Sequence, residues 1–310
     1  MNAESNAIPG SPIESQVIAP AVMPAARPMY WSVRRELWEN RSIYIAPLAV
    51  AAVFLFGFLI STIHLPGKMR AASALDPMRQ HELIAQPYLI ASGLMMLTTL
   101  VVGVFYCLDA LHAERRDRSI LFWKSLPVSD LTTVLSKASI PLVVLPLLSF
   151  AIIVATQLIM LLLSTAVLLG SGLSVAKLWT QLPLFQMSLM LLYHLLAVHA
   201  LWYAPIYGWL LLVSGWARRA AFLWAGLPLL AIGVVEKIAF NTSHFAAMLE
   251  SRLSGGAAGA STASGSVLMP PMTQLTAGQF LISPGLWIGL GVAAAFLAAA
   301  VRLRRYQAPI

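Results

Sequence analysis

Few residues in this sequence have the types that do chemistry, and most of those fail on spacing. His81-Glu82-Leu83-Ile84-Ala85 opens like the zinc-protease pattern H-E-x-x-H. Ala85 stands where the second imidazole is needed, so the pattern makes no site. His194 and His199 are five residues apart, about 140° around an α-helix, and are read as facing different ways. Gly170-Ser171-Gly172 with Lys177 lacks the Gly-Lys-Ser/Thr ending of a phosphate-binding loop, and no such loop occurs elsewhere in the chain. The single cysteine, Cys107, lies in an apolar run. It reads as a small buried hydrophobe, and one thiol excludes an intrachain disulfide or a cysteine-based metal cluster. Asn241-Thr242-Ser243 fits the short glycosylation sequon, which by itself means little. The sequence predicts no catalytic residue, no metal site and no cofactor bound by this chain.

One stretch does carry a pattern. It runs from Glu114, Arg115, Arg116, Asp117, Arg118 and Ser119 into a short apolar run, Ile120, Leu121, Phe122 and Trp123. Leu126-Pro127-Val128-Ser129 follows, and the charged region ends at Lys137. Pro127 interrupts a helix, and Ser129 or Asp130 offers the side-chain oxygen that caps a new one. These features predict a helix–turn–helix hairpin with a hydrophobic knuckle at its tip. Such a knuckle is costly in water unless it docks on a membrane surface or a partner. An ordinary basic loop accounts for the arginines but not for Ile120, Leu121, Phe122 and Trp123 or for the Leu-Pro-Val-Ser turn.

The elements that position this hairpin follow from composition. Of 310 residues, 59% are hydrophobic and 10% charged, where a soluble domain carries about a quarter charged residues. Several apolar runs reach the roughly 20 residues that cross a hydrocarbon core. The chain reads as an all-α integral membrane protein with six transmembrane helices, at about 43–64, 87–111, 138–169, 187–213, 221–240 and 285–301. Pro141 and Pro146 imply a bent or tilted entry to the third. Residues 1–28, dominated by Pro, Ala and Ser, lack the pattern of a signal peptide and read as a disordered tail. Residues 29–41 read as a short interfacial helix, with Trp31 and Trp38 in the headgroup layer and Arg34 and Arg35 facing lipid phosphate. Residues 241–284, with the low-complexity GGAAGASTASGS, read as an extracytoplasmic loop, and 306–310 as a short tail. Asp109, Glu236 and Lys237 lie inside or at the ends of spans, and Gln157 is a polar point in the third. They are candidates to line a pathway, against the plainer reading that the charges snorkel to the interface.

Charge sets an expected orientation. Fourteen of the 20 Lys+Arg fall in 27–41, 115–137, 218–219 and 302–305, all on one side of a six-span arrangement. The positive-inside rule puts that side, with both termini, in the cytoplasm. The net charge of +8 is thereby explained by membrane orientation and anionic headgroups, not by nucleic acid.

The hairpin resembles the loop between spans two and three in ABC-2 family permeases, the transmembrane subunits of ABC transporters. There a Glu-Arg/Lys pair, a polar step, a hydrophobic patch, Leu-Pro-Val/Leu-Ser/Thr and a Lys occur in order. Glu114, Arg115, Leu126, Pro127, Val128, Ser129 and Lys137 match, while Asp117-Arg118-Ser119 departs from a common Gly-Thr-like step. The resemblance covers roughly 29–305. It implies a permease, with 29–305 as its transmembrane domain, partnered by a separate ABC ATPase subunit that binds ATP and Mg. It also implies a homodimer or heterodimer of permeases in the bacterial inner membrane. Ile120, Leu121, Phe122 and Trp123, with Leu126, Pro127 and Val128, would form the coupling knob, and Glu114, Arg115 and Arg118 would make charged contacts around it. An ion-coupled secondary transporter is the competing class. It predicts broken or charged midplane segments in related pairs, and no internal repeat is evident. A membrane-embedded enzyme or scaffold is a third, without a catalytic constellation. The aromatic fourth span suits an amphipathic cargo, though aromatic belts explain it equally well.

Overall fold

In hydrocarbon every backbone N–H and C=O must find a partner within its own segment, so long apolar runs become helices. The computed structural model describes residues 26–72, 75–119, 128–253 and 281–306, which are helical apart from short turns, with no strand among them. Six helices are long and apolar enough to cross a bilayer.

The chain opens with α1 (Ala26–Glu39). The rods α2 (Ser42–Ala72), α3 (Pro77–Arg116) and α4 (Asp130–Gly170) follow, then α5 (Leu178–Trp202) and a short α6 (Ala204–Trp216). Next come α7 (Ala221–Phe240), α8 (His244–Leu253) and α9 (Pro284–Tyr306). The rods are longer than expected. The polar stretch 65–86, between the first two expected spans, is largely helical in its described residues and extends α2 and α3. The unbroken part of α3, the 34 residues Pro77–Ala110, would reach about 50 Å, well beyond the thickness of a hydrocarbon core.

Prolines mark the irregularities. In α4 a π-helical stretch, Ile140–Val144, joins two α-helical parts, with Pro141 and Pro146 on either side of its centre. Each proline withholds an N–H and crowds the carbonyl four residues back, and a wider turn relieves both. The same physics corrects the fourth span, expected to run unbroken from 187 to 213. The backbone is π-helical over Leu195–Trp202, Tyr203 N bonds Val198 O at 3.0 Å, and an α-helix resumes at Ala204. Pro205 lies just past the break. The span therefore begins earlier, at Leu178, and ends at Trp202. A π-turn bonds residues five apart, so the 140° separation assigned to His194 and His199 on α-helical geometry does not hold there.

The rods α3 and α4 are the most enclosed, with 39% of their apolar stretches buried, against 11% for α7. Near one end the core packs Ile43, Cys107, Tyr207 and Leu211, and Cys107 is the buried hydrophobe expected. Helix α6 lies tightly on α9: a Cβ on Gly208 would stand 3.3 Å from the Ala293 carbonyl oxygen. Helix α7 matches its expected bounds. It follows a turn in which Ala220 takes left-handed backbone (φ +48°), and it ends on Asn241 (φ +51°). Asparagine is one of the few side chains that tolerates that conformation.

Candidate functional site

At Leu111 the helix α3 turns, and the freed amides of Leu111 and His112 donate to Ser214 Oγ at 3.0 and 2.9 Å. The last turn of α3 is thereby set against the end of α6. Arg115 Nη1 donates to the Gly215 carbonyl at 2.6 Å and more weakly to that of Ala217 at 3.4 Å. A guanidinium on the last carbonyls of a helix satisfies acceptors that have no intrahelical partner and meets the negative end of the helix dipole.

One residue earlier, Glu114 points into a buried cluster. Its Oε1 lies 3.2 Å from both Arg35 Nη2 and Lys137 Nζ, and its Oε2 accepts from Arg304 Nη1. Glu36 sits beside it and accepts from Lys137 Nζ at 2.8 Å, from Arg35 Nη2 at 3.0 Å and from the Tyr106 hydroxyl at 2.8 Å. Asp130 accepts from Arg304 Nε at 3.0 Å. Three carboxylates thus meet three cations. Glu36, Glu114, Lys137 and Arg304 are each at most 6% exposed. Burying charge is costly unless geometry and hydrogen bonds compensate, and here each carboxylate has at least one cation at contact distance. Every carboxylate is engaged, so the cluster offers no free base or nucleophile. What it does is mechanical: it joins α1, the end of α3, the start of α4 and the end of α9.

Several expectations change. Glu114 and Arg115, expected to offer charge to a partner, turn inward onto this chain's own groups. Lys137 does the same. Arg118 is exposed, with left-handed backbone at φ +57°. It lies in the step where a glycine would sit without strain. Ser129, of the two proposed caps, is the one that caps: its Oγ accepts from Thr132 N at 3.1 Å. Val128 is half-buried. Ile120, Leu121, Phe122, Trp123, Leu126 and Pro127 lie outside the described residues, as do most of the two tails and residues 254–280.

Helix α1 has two faces. Val33, Glu36 and Leu37 turn to the bundle, and Val33 and Leu37 pack on its core. Trp31, Arg34 and Trp38 are exposed, with the Arg34 guanidinium 5.2 and 5.0 Å from the two ring centroids. Arg35 is not on that face, since it binds Glu36, Glu39 and Glu114.

The four candidates for a pathway lining do not come together. Asp109 and Lys237 are exposed. Gln157 is buried and donates to Ser92 Oγ at 2.9 Å, a bond between α3 and α4 of the kind that holds membrane helices together. Glu236 caps α8, accepting from His244 N at 2.7 Å, Phe245 N at 2.9 Å and Thr242 Oγ1 at 2.8 Å. His199 is buried against the Met96 carbonyl, with Nε2 3.0 Å away. No group of residues suited to a metal ion occurs among the described residues. An open apolar groove between α2 and α3, lined by Val50, Phe54, Gly57, Phe58, Ile90 and Leu94, has no charged group in its lining.

Sequence reasoning missed Glu36 and Arg304 as site residues. Glu36 left a signal: it is a lone carboxylate three residues after Val33 and one before Leu37, on the apolar stripe of a helix. Arg304 left none, because three arginines at the end of a span look alike.

The class these features define is a helical, multi-pass membrane protein with a buried ion cluster at one end of its bundle. Compared with protein-family models, with curated proteins and with solved structures, the chain has no match.

Proposed function

We propose that this chain is the membrane-spanning permease subunit of an ABC transporter of the ABC-2 type, an exporter driven by ATP that a separate ATPase subunit hydrolyses. One observation supports this above the others. The two stems of the 120–127 segment, at Glu114 and Asp130, are drawn together by a buried ion cluster that also grips two further helices. A loop that passes force from a partner into a bundle needs such a rigid neck, because motion is transmitted through packed and hydrogen-bonded elements. In this reading Ile120, Leu121, Phe122 and Trp123 enter a groove of the ATPase, which alone binds ATP and Mg. Helix α1 lies on the membrane through Trp31, Arg34 and Trp38. Two permease subunits, identical or related, pair with two ATPases, and both termini face the cytoplasm of a bacterial inner membrane. The purified chain is expected to hydrolyse no ATP and to co-purify with a cassette ATPase in a two-plus-two complex. Robust hydrolysis by the isolated chain, with contaminants excluded by mass spectrometry, would overturn the proposal.

A further inference from the structure

Three arginines end α9, and two of them, Arg302 and Arg305, are exposed as orientation charges should be. The third, Arg304, is 4% exposed at its side chain. A topological signal has no need of a buried guanidinium. Arg304 spends its donors on two carboxylates that flank one loop: Nη1 on Glu114, where the chain enters the hairpin, and Nε on Asp130 at 3.0 Å, where it leaves. The planar fork of arginine presents donors along two edges at a fixed angle, which the single ammonium of lysine cannot copy.

We infer that Arg304 is a positioning residue, a staple that closes the neck of the hairpin and makes the last helix move with it. Glu114 has other cations in Arg35 and Lys137, and these tie it to α1 and to the second turn of α4. Arg304 is the member of the cluster that reaches both ends of the loop. Because α9 also lies tightly on α6 at Gly208, displacement of the hairpin is carried along α9 and from there to α6. The functional meaning of the staple rests on the coupling proposal; its geometry does not.

The test uses the full chain in detergent, with Cys107→Ala and spin labels at Arg116 and Leu131, both exposed and one on each stem. Arg304→Gln should widen the distance distribution between the labels about twofold or more, since an unstapled loop end samples local openings. Arg304→Lys should fall between, because it restores one contact and not two. An unchanged width in Arg304→Gln would overturn the inference. If that variant does not insert, Asp130→Ala decides the matter. It removes only the exit contact and leaves the Ser129 cap in place, and it should widen the distribution, while an unchanged width overturns the staple. Recovery of a cassette ATPase with the wild-type chain is scored separately. Failure there removes the coupling proposal and leaves the staple standing, whereas unchanged widths with intact recovery remove the staple alone.

Discussion

The Lys137 ammonium sits 2.8 Å from the Glu36 carboxylate, 101 residues away in sequence, and neither side chain is more than 3% exposed. This contact fixes α1 to the start of α4. Its energetic meaning is asymmetric: the intact pair is weak evidence for stability, while a buried charge left with no partner costs about 3–5 kcal/mol, a cost that Arg35, still 3.0 Å from Glu36, would reduce here. Lys137→Met should therefore lower the unfolding free energy in detergent by part of that amount, about 1–3 kcal/mol, since Arg35 and Arg304 still hold the two carboxylates. The double variant Glu36→Gln with Lys137→Met should lose less than the two single losses combined. A single variant within about 0.5 kcal/mol of wild type would show that the pair is not buried as described.

The partner-facing prediction concerns Phe122 and Trp123. A buried aromatic anchor in an interface is worth about 2 kcal/mol or more. If the proposed coupling role holds, replacing both with Ala should cut recovery of a cassette ATPase more than about tenfold at equal membrane insertion. Undiminished recovery in a pull-down normalised to the inserted chain would remove the proposed coupling role of the tip.

Arg115→Ala should act differently from a rim charge. Its guanidinium holds the Gly215 and Ala217 carbonyls, so the defect should be a looser junction of α3 and α6, insensitive to salt. The readout is thermal unfolding of the isolated chain at low and high ionic strength. A loss that disappears on adding salt would instead mark an exposed charge, screened in the ordinary way.

Glu236→Ala should release the first turn of α8, since three hydrogen bonds converge on that carboxylate. Amide exchange at His244 and Phe245 should rise, while Lys237→Ala leaves it unchanged. Equal protection in both variants would show that Glu236 does not cap α8.

Orientation has its own check. A cysteine placed within 255–266, in a Cys107→Ala background, should react with an impermeant thiol reagent from outside intact cells. Reaction only after lysis would reverse the positive-inside assignment.

Much of the frame was legible because the bilayer rule is local: about 20 apolar residues in a row make a helix, whatever surrounds them. Helix α7 came out at its expected bounds for that reason. The Ser129 cap was legible because capping depends on a side chain and the amide three residues on. The helical extensions through Lys68, Arg70, Arg79 and Glu82 were not, because polar residues continue a helix as readily as they end one. The break at Tyr203 was hidden for another reason. Hydropathy runs unbroken through it, and Pro205 acts on the turn before itself. Least legible was the ion cluster, in which Arg304 meets Glu114 from 190 positions away. Pattern reading saw both residues as surface charge, and only packing shows that they are interior.

The π-turn at Ile140–Val144 gives α4 an unusual tolerance. In a regular helix, deleting one residue rotates everything beyond it by about 100° and tears the packed face off its neighbours. A π-turn already holds one residue more than an α-turn needs. Deleting Val143, which is 49% exposed, would remove that extra residue and leave Lys137 below and Ser149 above in their present directions, at the cost of the relief the wider turn gives Pro141 and Pro146. The helix thus carries a spare position, a place where the chain can lose a residue without losing its register.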